Sequence, residues 1–123
     1  GIWVEALRDL GVEAYGVDVS EYAISKVRED LKPFCKAASA LEELPEGFPG
    51  IFDLVTAIEV AEHLYEEDSD LFFDHLCSWG DQVVFSSTDD DYDEPTHVNV
   101  QKIEYWTKKN LPKEAFTAIF PVI

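Results

Sequence analysis

The sequence predicts an α/β fold in which a mostly parallel sheet lies between two layers of helices. Segments with the alternating or β-branched pattern of strands follow one another along the chain, and amphipathic helical segments separate them. One segment, FDLVTAIEV at 52–60, is apolar almost throughout, which is typical of a strand buried on both faces. We therefore expect one three-layer domain over residues 1–123.

The first part of the chain predicts a helix, a strand and a second helix. IWVEALRDL has an apolar helical face, and Gly11 after it suits the left-handed position that ends many helices. The alternation in VEAYGVD predicts a strand that ends at Asp18. Ser20 is a good N-cap, and the apolar stripe behind it predicts a helix that continues to about Leu31.

The remaining elements follow the same alternation. Gly80 ends the second long helix, as glycine commonly does. Polar loops separate the elements, and the most acidic of them is DDDYDE at 89–94. The predicted elements are strands at 34–38, 52–60, 82–87 and 115–120, and helices at 68–79 and 102–111.

Composition excludes several classes of function. The chain has 9 basic and 26 acidic residues and a net charge of −17, which disfavours nucleic acid and anionic membranes as partners. No apolar run approaches the roughly 20 residues of a membrane span. Cys35 and Cys77 lack CxxC spacing, so we expect reduced thiols and a cytoplasmic protein, with a disulfide as the alternative. The charge indicates a solubility or salt adaptation, with an acidic interaction surface as the alternative.

Asp18 is the first candidate site residue. Ligands bind at the carboxyl ends of the strands in parallel sheets, and a carboxylate there can accept hydrogen bonds from both hydroxyls of a ribose. The alternative is that Asp18 only forms the turn between strand and helix, where aspartate is favoured in any case.

A second candidate group consists of Glu59, Glu62, His63 and His97. The first three lie within five residues, where one helical turn would direct them to a common point. His97 follows the next strand, at the same edge of the predicted sheet. Two carboxylates and two imidazoles suit Mg, Mn, Fe or Zn. As alternatives, these side chains cap the helix and line a pocket, and His97 holds its loop or acts as a general base.

Five segments in order carry a resemblance to a known family: LRDLG, YGVDVSEYAI, ALEELPEG, FDLVTAIEVAEHL and SSTDDDYDEPTHVNVQKIEYW. Together they resemble the class I S-adenosylmethionine-dependent methyltransferases, in particular the small-molecule branch that includes the ubiquinone-biosynthesis O-methyltransferases. The resemblance covers residues 1 to about 110. It implies a Rossmann-like three-layer sandwich and transfer of a methyl group to a small-molecule acceptor, at oxygen or nitrogen.

The resemblance also implies roles for individual residues. By position, Asp18 would hold the ribose of S-adenosylmethionine and Val19 would lie against its adenine. Ser39, followed by Ala40, stands in the adenine loop where many members have an aspartate for the adenine amino group, so we expect weaker adenine recognition. Ile58 matches a position that packs beside the cofactor.

The segment EVAEHL and the later His97 are similar to a divalent-metal motif of small-RNA 2′-O-methyltransferases and some ubiquinone-pathway enzymes. His63 and His97 are the candidate catalytic bases, with or without a metal. The family's first strand and glycine-rich loop should precede the first helix, so we expect an N-terminally incomplete domain of a longer chain. The rival hypothesis is a methyltransferase-like domain that is not catalytic and serves assembly or regulation.

Overall fold

A computed structural model describes residues 1–109 and the strand residues 118–119. Within these residues the chain forms two compact units, Gly1–Pro49 and Gly50–Ile123, which are described in turn. None of the helices in the described part of the chain is long and apolar enough to cross a membrane.

The first unit is a parallel strand pair with its connecting helices. Ser20 caps the second helix as predicted, because its Oγ accepts a hydrogen bond from the Ala23 backbone N–H at 3.1 Å. The two strands pair with Asp18 opposite Ala37. The elements are α1 (Ile2–Asp9), β1 (Gly16–Asp18), α2 (Glu21–Ser25), a 3-10 helix (Glu29–Phe34) and β2 (Cys35–Ala37).

The core of the first unit comes from the predicted apolar stripes. Each helix contributes apolar side chains on the face that its periodicity predicts. Gly11 has φ +82°, so the predicted left-handed end of α1 is confirmed. The buried core residues are Val4, Ala14, Val27, Leu31 and Cys35, with Leu7, Ile24 and Phe34 packed against them.

The predicted helix from Ser20 to Leu31 is wrong in length, because α2 ends at Ser25. Ser25 Oγ donates a 2.7 Å hydrogen bond to the Tyr22 carbonyl, which an α-helix would use for a backbone N–H. Arg28 then adopts an extended backbone, and its guanidinium forms ion pairs with three carboxylates. These ion pairs join Arg28 to Glu5, Asp9 and Asp30.

The second unit is a three-stranded parallel sheet with the order β3-β4-β5. Its core is aromatic: Phe73 packs against Phe85 and Trp106 with ring centroids 5.1 and 5.9 Å apart. The predicted strand at 115–120 is described only at two residues. The elements are β3 (Val55–Ile58), 3-10 helices at Ala61–His63 and Glu66–Asp68, α3 (Ser69–Trp79), β4 (Val83–Ser86), α4 (Ile103–Thr107) and β5 (Ala118–Ile119).

The predicted strand at 52–60 is too long, since β3 has only four residues. Phe52 lies outside β3 and forms an isolated bridge to Gly80, and Glu59 turns the chain with φ +54°. Burial alternates along β3: Ala57 is 4% exposed, whereas Ile58 is 46% exposed. The expectation of burial on both faces is therefore wrong for the end of this strand.

All three strand pairings are parallel among the described residues, so the predicted α/β class with parallel strands is confirmed. The three-layer sandwich and the single domain over 1–123 stay predictions.

Candidate functional site

Asp18 ends β1 with its side chain exposed. One carboxylate oxygen, Oδ1, accepts a hydrogen bond from the Ser20 backbone N–H at 2.8 Å. This bond forms the turn into α2, which is the role expected of Asp18 if it does not bind a ribose. It occupies one oxygen, and the second remains at the surface of the first unit. The adjacent Val19 is 73% exposed.

Ser39 and Ala40 follow β2, at the same edge of the strand pair as Asp18. The Asp18 carbonyl accepts a hydrogen bond from the Ala38 backbone N–H at 3.0 Å, so the two strand ends lie side by side. Ser39 Oγ accepts a bond from the Leu41 N–H at 3.1 Å and thereby shapes the loop. The structure thus places four predicted cofactor residues of the first unit at one sheet edge.

In the second unit, the chain after β3 carries the remaining candidates. Glu59 has a left-handed backbone, and its Oε1 accepts a 2.8 Å hydrogen bond from Ser86 Oγ on β4. The 3-10 helix Ala61–His63 begins after this turn. Glu59 therefore does not share a helical turn with Glu62 and His63, and that part of the prediction is wrong.

Glu62 is a fully buried carboxylic acid, with 0% of its surface exposed. Oε2 accepts a 3.1 Å hydrogen bond from Ser87 Oγ, whereas Oε1 has no partner among the described residues. Burial raises the pKa of Glu62 above its usual range, and the neighbouring Glu59 carboxylate raises it further. A buried oxygen without a partner is costly, which makes it a ready acceptor for a proton or a cation.

The imidazoles of His63 and His97 meet edge to face, with ring centroids 4.7 Å apart. His63 Nδ1 lies 3.1 Å from the Thr96 carbonyl, and His97 Nδ1 lies 3.1 Å from the Asp91 carbonyl. A carbonyl only accepts, so both Nδ1 atoms carry the proton in the neutral rings. Both Nε2 atoms are then left with a free lone pair, the arrangement common in metal-binding histidines.

Three of the four predicted metal ligands form one group. Glu62, His63 and His97 each present a ligand atom, and these atoms lie within 4.8 Å of one another. Glu59 lies outside this group. A set of two imidazoles and one carboxylate can bind a divalent cation or move a proton.

The acidic loop at 89–94 adjoins this group. Asp91 Oδ2 lies 3.7 Å from His97 Nδ1, and Lys102 pairs with Asp89 at 3.5 Å. Glu94 accepts hydrogen bonds from the Thr96 backbone and hydroxyl, which lower the pKa of its carboxyl. The loop therefore places negative charge beside His97.

Sequence reasoning missed the residues that hold this group. Ser86 and Ser87 bond the two glutamates, and the buried Asn99 bonds the Glu62 backbone. Their only signal in the sequence is their place at or beyond the end of a predicted strand. Ile58 ends β3 half-exposed, and its contact with a cofactor stays a prediction.

Residues 1–77 match the family model described as a methyltransferase domain. The match contains Asp18 and the segment EVAEHL, whereas His97 lies beyond it. Searches of curated proteins and of solved structures returned no match. Because the match covers 77 of 123 residues, the chain belongs to the methyltransferase domain family, with the Rossmann-like fold of the class I S-adenosylmethionine-dependent enzymes.

Proposed function

We propose that this chain transfers a methyl group from S-adenosylmethionine to an oxygen or nitrogen atom of a small-molecule acceptor. The observation that carries the proposal is the group of Glu62, His63 and His97, with both Nδ1 atoms tied to backbone carbonyls. Such an acceptor must lose a proton during transfer, and an imidazole is the side chain that most often takes a proton in this kind of step.

The residues of the first unit fit the ribose and adenine of the cofactor. Asp18 exposes a carboxylate with one oxygen not used by the turn, and that oxygen can accept from a ribose hydroxyl. The exposed Val19 offers an apolar surface for the adenine. Ser39 and Ala40 complete the same edge. The bound cofactor supplies a methyl group that its sulfonium has already activated.

The role of the chain at the acceptor is to orient it and to take its proton. His63 Nε2 and His97 Nε2 are the atoms that can receive the proton, because each Nδ1 already donates to a carbonyl. Positioning of this kind contributes much of the rate in reactions whose donor is already activated.

A divalent cation fits the same group, which we propose as a second element of the site. Glu62 Oε1 is buried and has no hydrogen-bond partner among the described residues, and Glu62, His63 and His97 each offer one ligand atom within 4.8 Å of the others. The donor set suits Mg, Mn, Fe or Zn. A bound cation would lower the pKa of an acceptor hydroxyl.

Charge supports a small and uncharged or cationic acceptor. The loop at 89–94 places carboxylates beside His97, and the chain as a whole has a charge of −17. An anionic acceptor such as a nucleic acid would be repelled at this edge. The two cysteines are free, in keeping with a cytoplasmic location.

Calorimetry with S-adenosylhomocysteine and a methylation assay on phenols, catechols and amines test the proposal in the full-length protein. We expect binding of the cofactor product and at least a hundredfold loss of activity in His63→Gln and His97→Gln. His75→Gln is the matched control, because His75 lies in α3 and not in the candidate group. Its ring centroid is 5.5 Å from that of Trp79. Activity that survives EDTA would remove the cation, and absence of any cofactor binding would favour the non-catalytic hypothesis.

A further inference from the structure

Asn99 is a buried residue that closely follows the exposed loop segment 90–96. Residues 90–96 are all exposed, whereas Asn99 is 2% exposed. A primary amide has two donor hydrogens and an acceptor oxygen, so burial requires that it be hydrogen-bonded. The partners of Asn99 therefore show what its loop is attached to.

The partners of Asn99 include one residue of the candidate site and the first residue of α3. Its backbone N–H donates to the Glu62 carbonyl at 3.0 Å. Its side-chain Nδ2 donates to Ser69 Oγ at 3.1 Å, and its Oδ1 accepts from Gln101 Nε2 at 2.9 Å. Ser69 is the first residue of α3 and is itself only 1% exposed.

This attachment acts on His97, which precedes Asn99 by two residues. His97 is otherwise bonded to its own acidic loop: its Nδ1 lies 3.1 Å from the Asp91 carbonyl, and its backbone N–H donates to the Glu94 carbonyl at 3.0 Å. Both partner residues are exposed. Negative charges within that loop repel one another and favour its opening. The buried bonds of Asn99 oppose that opening from the other end of the loop.

We propose that Asn99 is a positioning residue that holds His97 against Glu62 and His63. The inference rests on the proposed function of that group, and Asn99 acts through His97 without contacting acceptor or cation. Residues that orient ligands in this way commonly change metal affinity by roughly 10- to 100-fold when replaced.

The test compares Asn99→Ala with Ser69→Ala, which removes the same hydrogen bond from its other end. The first readout is the NOE between the His63 and His97 rings without added metal, since their centroids are 4.7 Å apart. The second is Mn²⁺ affinity by calorimetry. We expect each variant to weaken the NOE and to bind Mn²⁺ about tenfold more weakly. The double variant should be no worse than Asn99→Ala, because that substitution already removes the bond to Ser69.

Phe72→Leu is the control for a merely structural role. Phe72 lies in α3 like Ser69, is 0% exposed, and is no part of the candidate site. Measured well below every melting temperature, this variant should lose stability but keep the NOE and the Mn²⁺ affinity.

An unchanged NOE in both Asn99→Ala and Ser69→Ala would overturn the inference, and so would an equal loss in Phe72→Leu. If Asn99→Ala does not fold, Ser69→Ala decides alone. A wild-type protein that binds no Mn²⁺ would contradict the proposed cation but not the inference, because the NOE comparison needs no metal.

Discussion

At the scale of single residues, the chain uses carboxylates in two opposite environments. Asp18 is exposed and shares one oxygen with a turn, whereas Glu62 is buried with an oxygen that lacks a partner among the described residues. The exposed carboxylate can accept hydrogen bonds from hydroxyls in solution, whereas burial opposes the ionisation of Glu62. The two residues therefore call for different tests.

For Asp18, we predict weaker cofactor binding in Asp18→Asn and Asp18→Ala. Loss of charge-assisted hydrogen bonds costs roughly 1.5–3 kcal/mol, so the dissociation constant of S-adenosylhomocysteine should rise at least tenfold in calorimetry. Asp18→Asn keeps an acceptor for the Ser20 N–H and thus separates the charge from the turn. Asp53→Ala, another exposed aspartate, should leave binding unchanged. Equal binding in wild type and Asp18→Asn would exclude the ribose role.

For Glu62, we predict that the free energy of unfolding falls as pH rises through the raised pKa of this carboxyl. Burial raises that pKa in the folded state, so between the unfolded and the folded value the folded protein binds more protons. Stability must then fall with rising pH in that interval. Urea unfolding at a series of pH values should show a steeper decline in wild type than in Glu62→Gln, which cannot ionise. Parallel curves would contradict the prediction.

At the scale of elements, the close contact of α3 with the start of the second unit depends on Gly80. Phe52 N–H donates to the Trp79 carbonyl at 2.7 Å, and Phe52 forms a bridge with Gly80. A Cβ on Gly80 would lie 2.6 Å from the Phe52 carbonyl oxygen, which is backbone and cannot rotate away. Helix and chain therefore approach more closely than a side chain allows.

We predict that Gly80→Ala lowers the free energy of unfolding by about 1–3 kcal/mol, the usual cost of an overpacked contact. Chemical denaturation measures the change directly. Gly50→Ala is the matched control: a Cβ there meets nothing within 4 Å, so its effect should stay within about 0.5 kcal/mol. Equal stability of the two variants would mean that the chain at Phe52 relaxes without cost.

Element types were predictable from the sequence where one local signal decides them. Gly11 and Ser20 mark the end of α1 and the start of α2, and both positions are confirmed. The length of α2 was not predictable, because a Ser25 side-chain bond and the ion pairs of Arg28 outweigh an apolar stripe that continues to Leu31. The spacing of apolar residues does not show where such side-chain bonds will end a helix.

The sequence was sufficient to expect three of the four candidate residues close together, but not the residues that support them. Parallel strands end at one edge, which is sufficient to expect His63 and His97 near each other. The left-handed backbone of Glu59, which takes this residue out of the helical turn of Glu62 and His63, has no sequence signal. The hydrogen bonds of Ser87 and Asn99 have no sequence signal either, because they depend on the register of the loop against β3 and β4.

At the scale of the whole molecule, the excess of negative charge is the dominant electrostatic feature. The ion pairs among the described residues are mostly between exposed groups, such as Arg28 with Asp9 and Lys102 with Asp89. Exposed pairs contribute little to stability, because water screens them and ordering two long side chains costs entropy. They cannot offset a net charge of −17, which destabilises the compact state by repulsion.

We therefore predict that salt stabilises this protein. Raising NaCl from about 0.05 to 0.5 M shortens the screening length to below about 10 Å, and repulsion between distant carboxylates weakens more than the contact ion pairs do. The free energy of unfolding in urea should increase with NaCl. Sodium perchlorate at the same ionic strength separates screening from general salting-out, because both salts screen but perchlorate does not strengthen apolar burial. A stability that falls in NaCl would show that the ion pairs outweigh the repulsion.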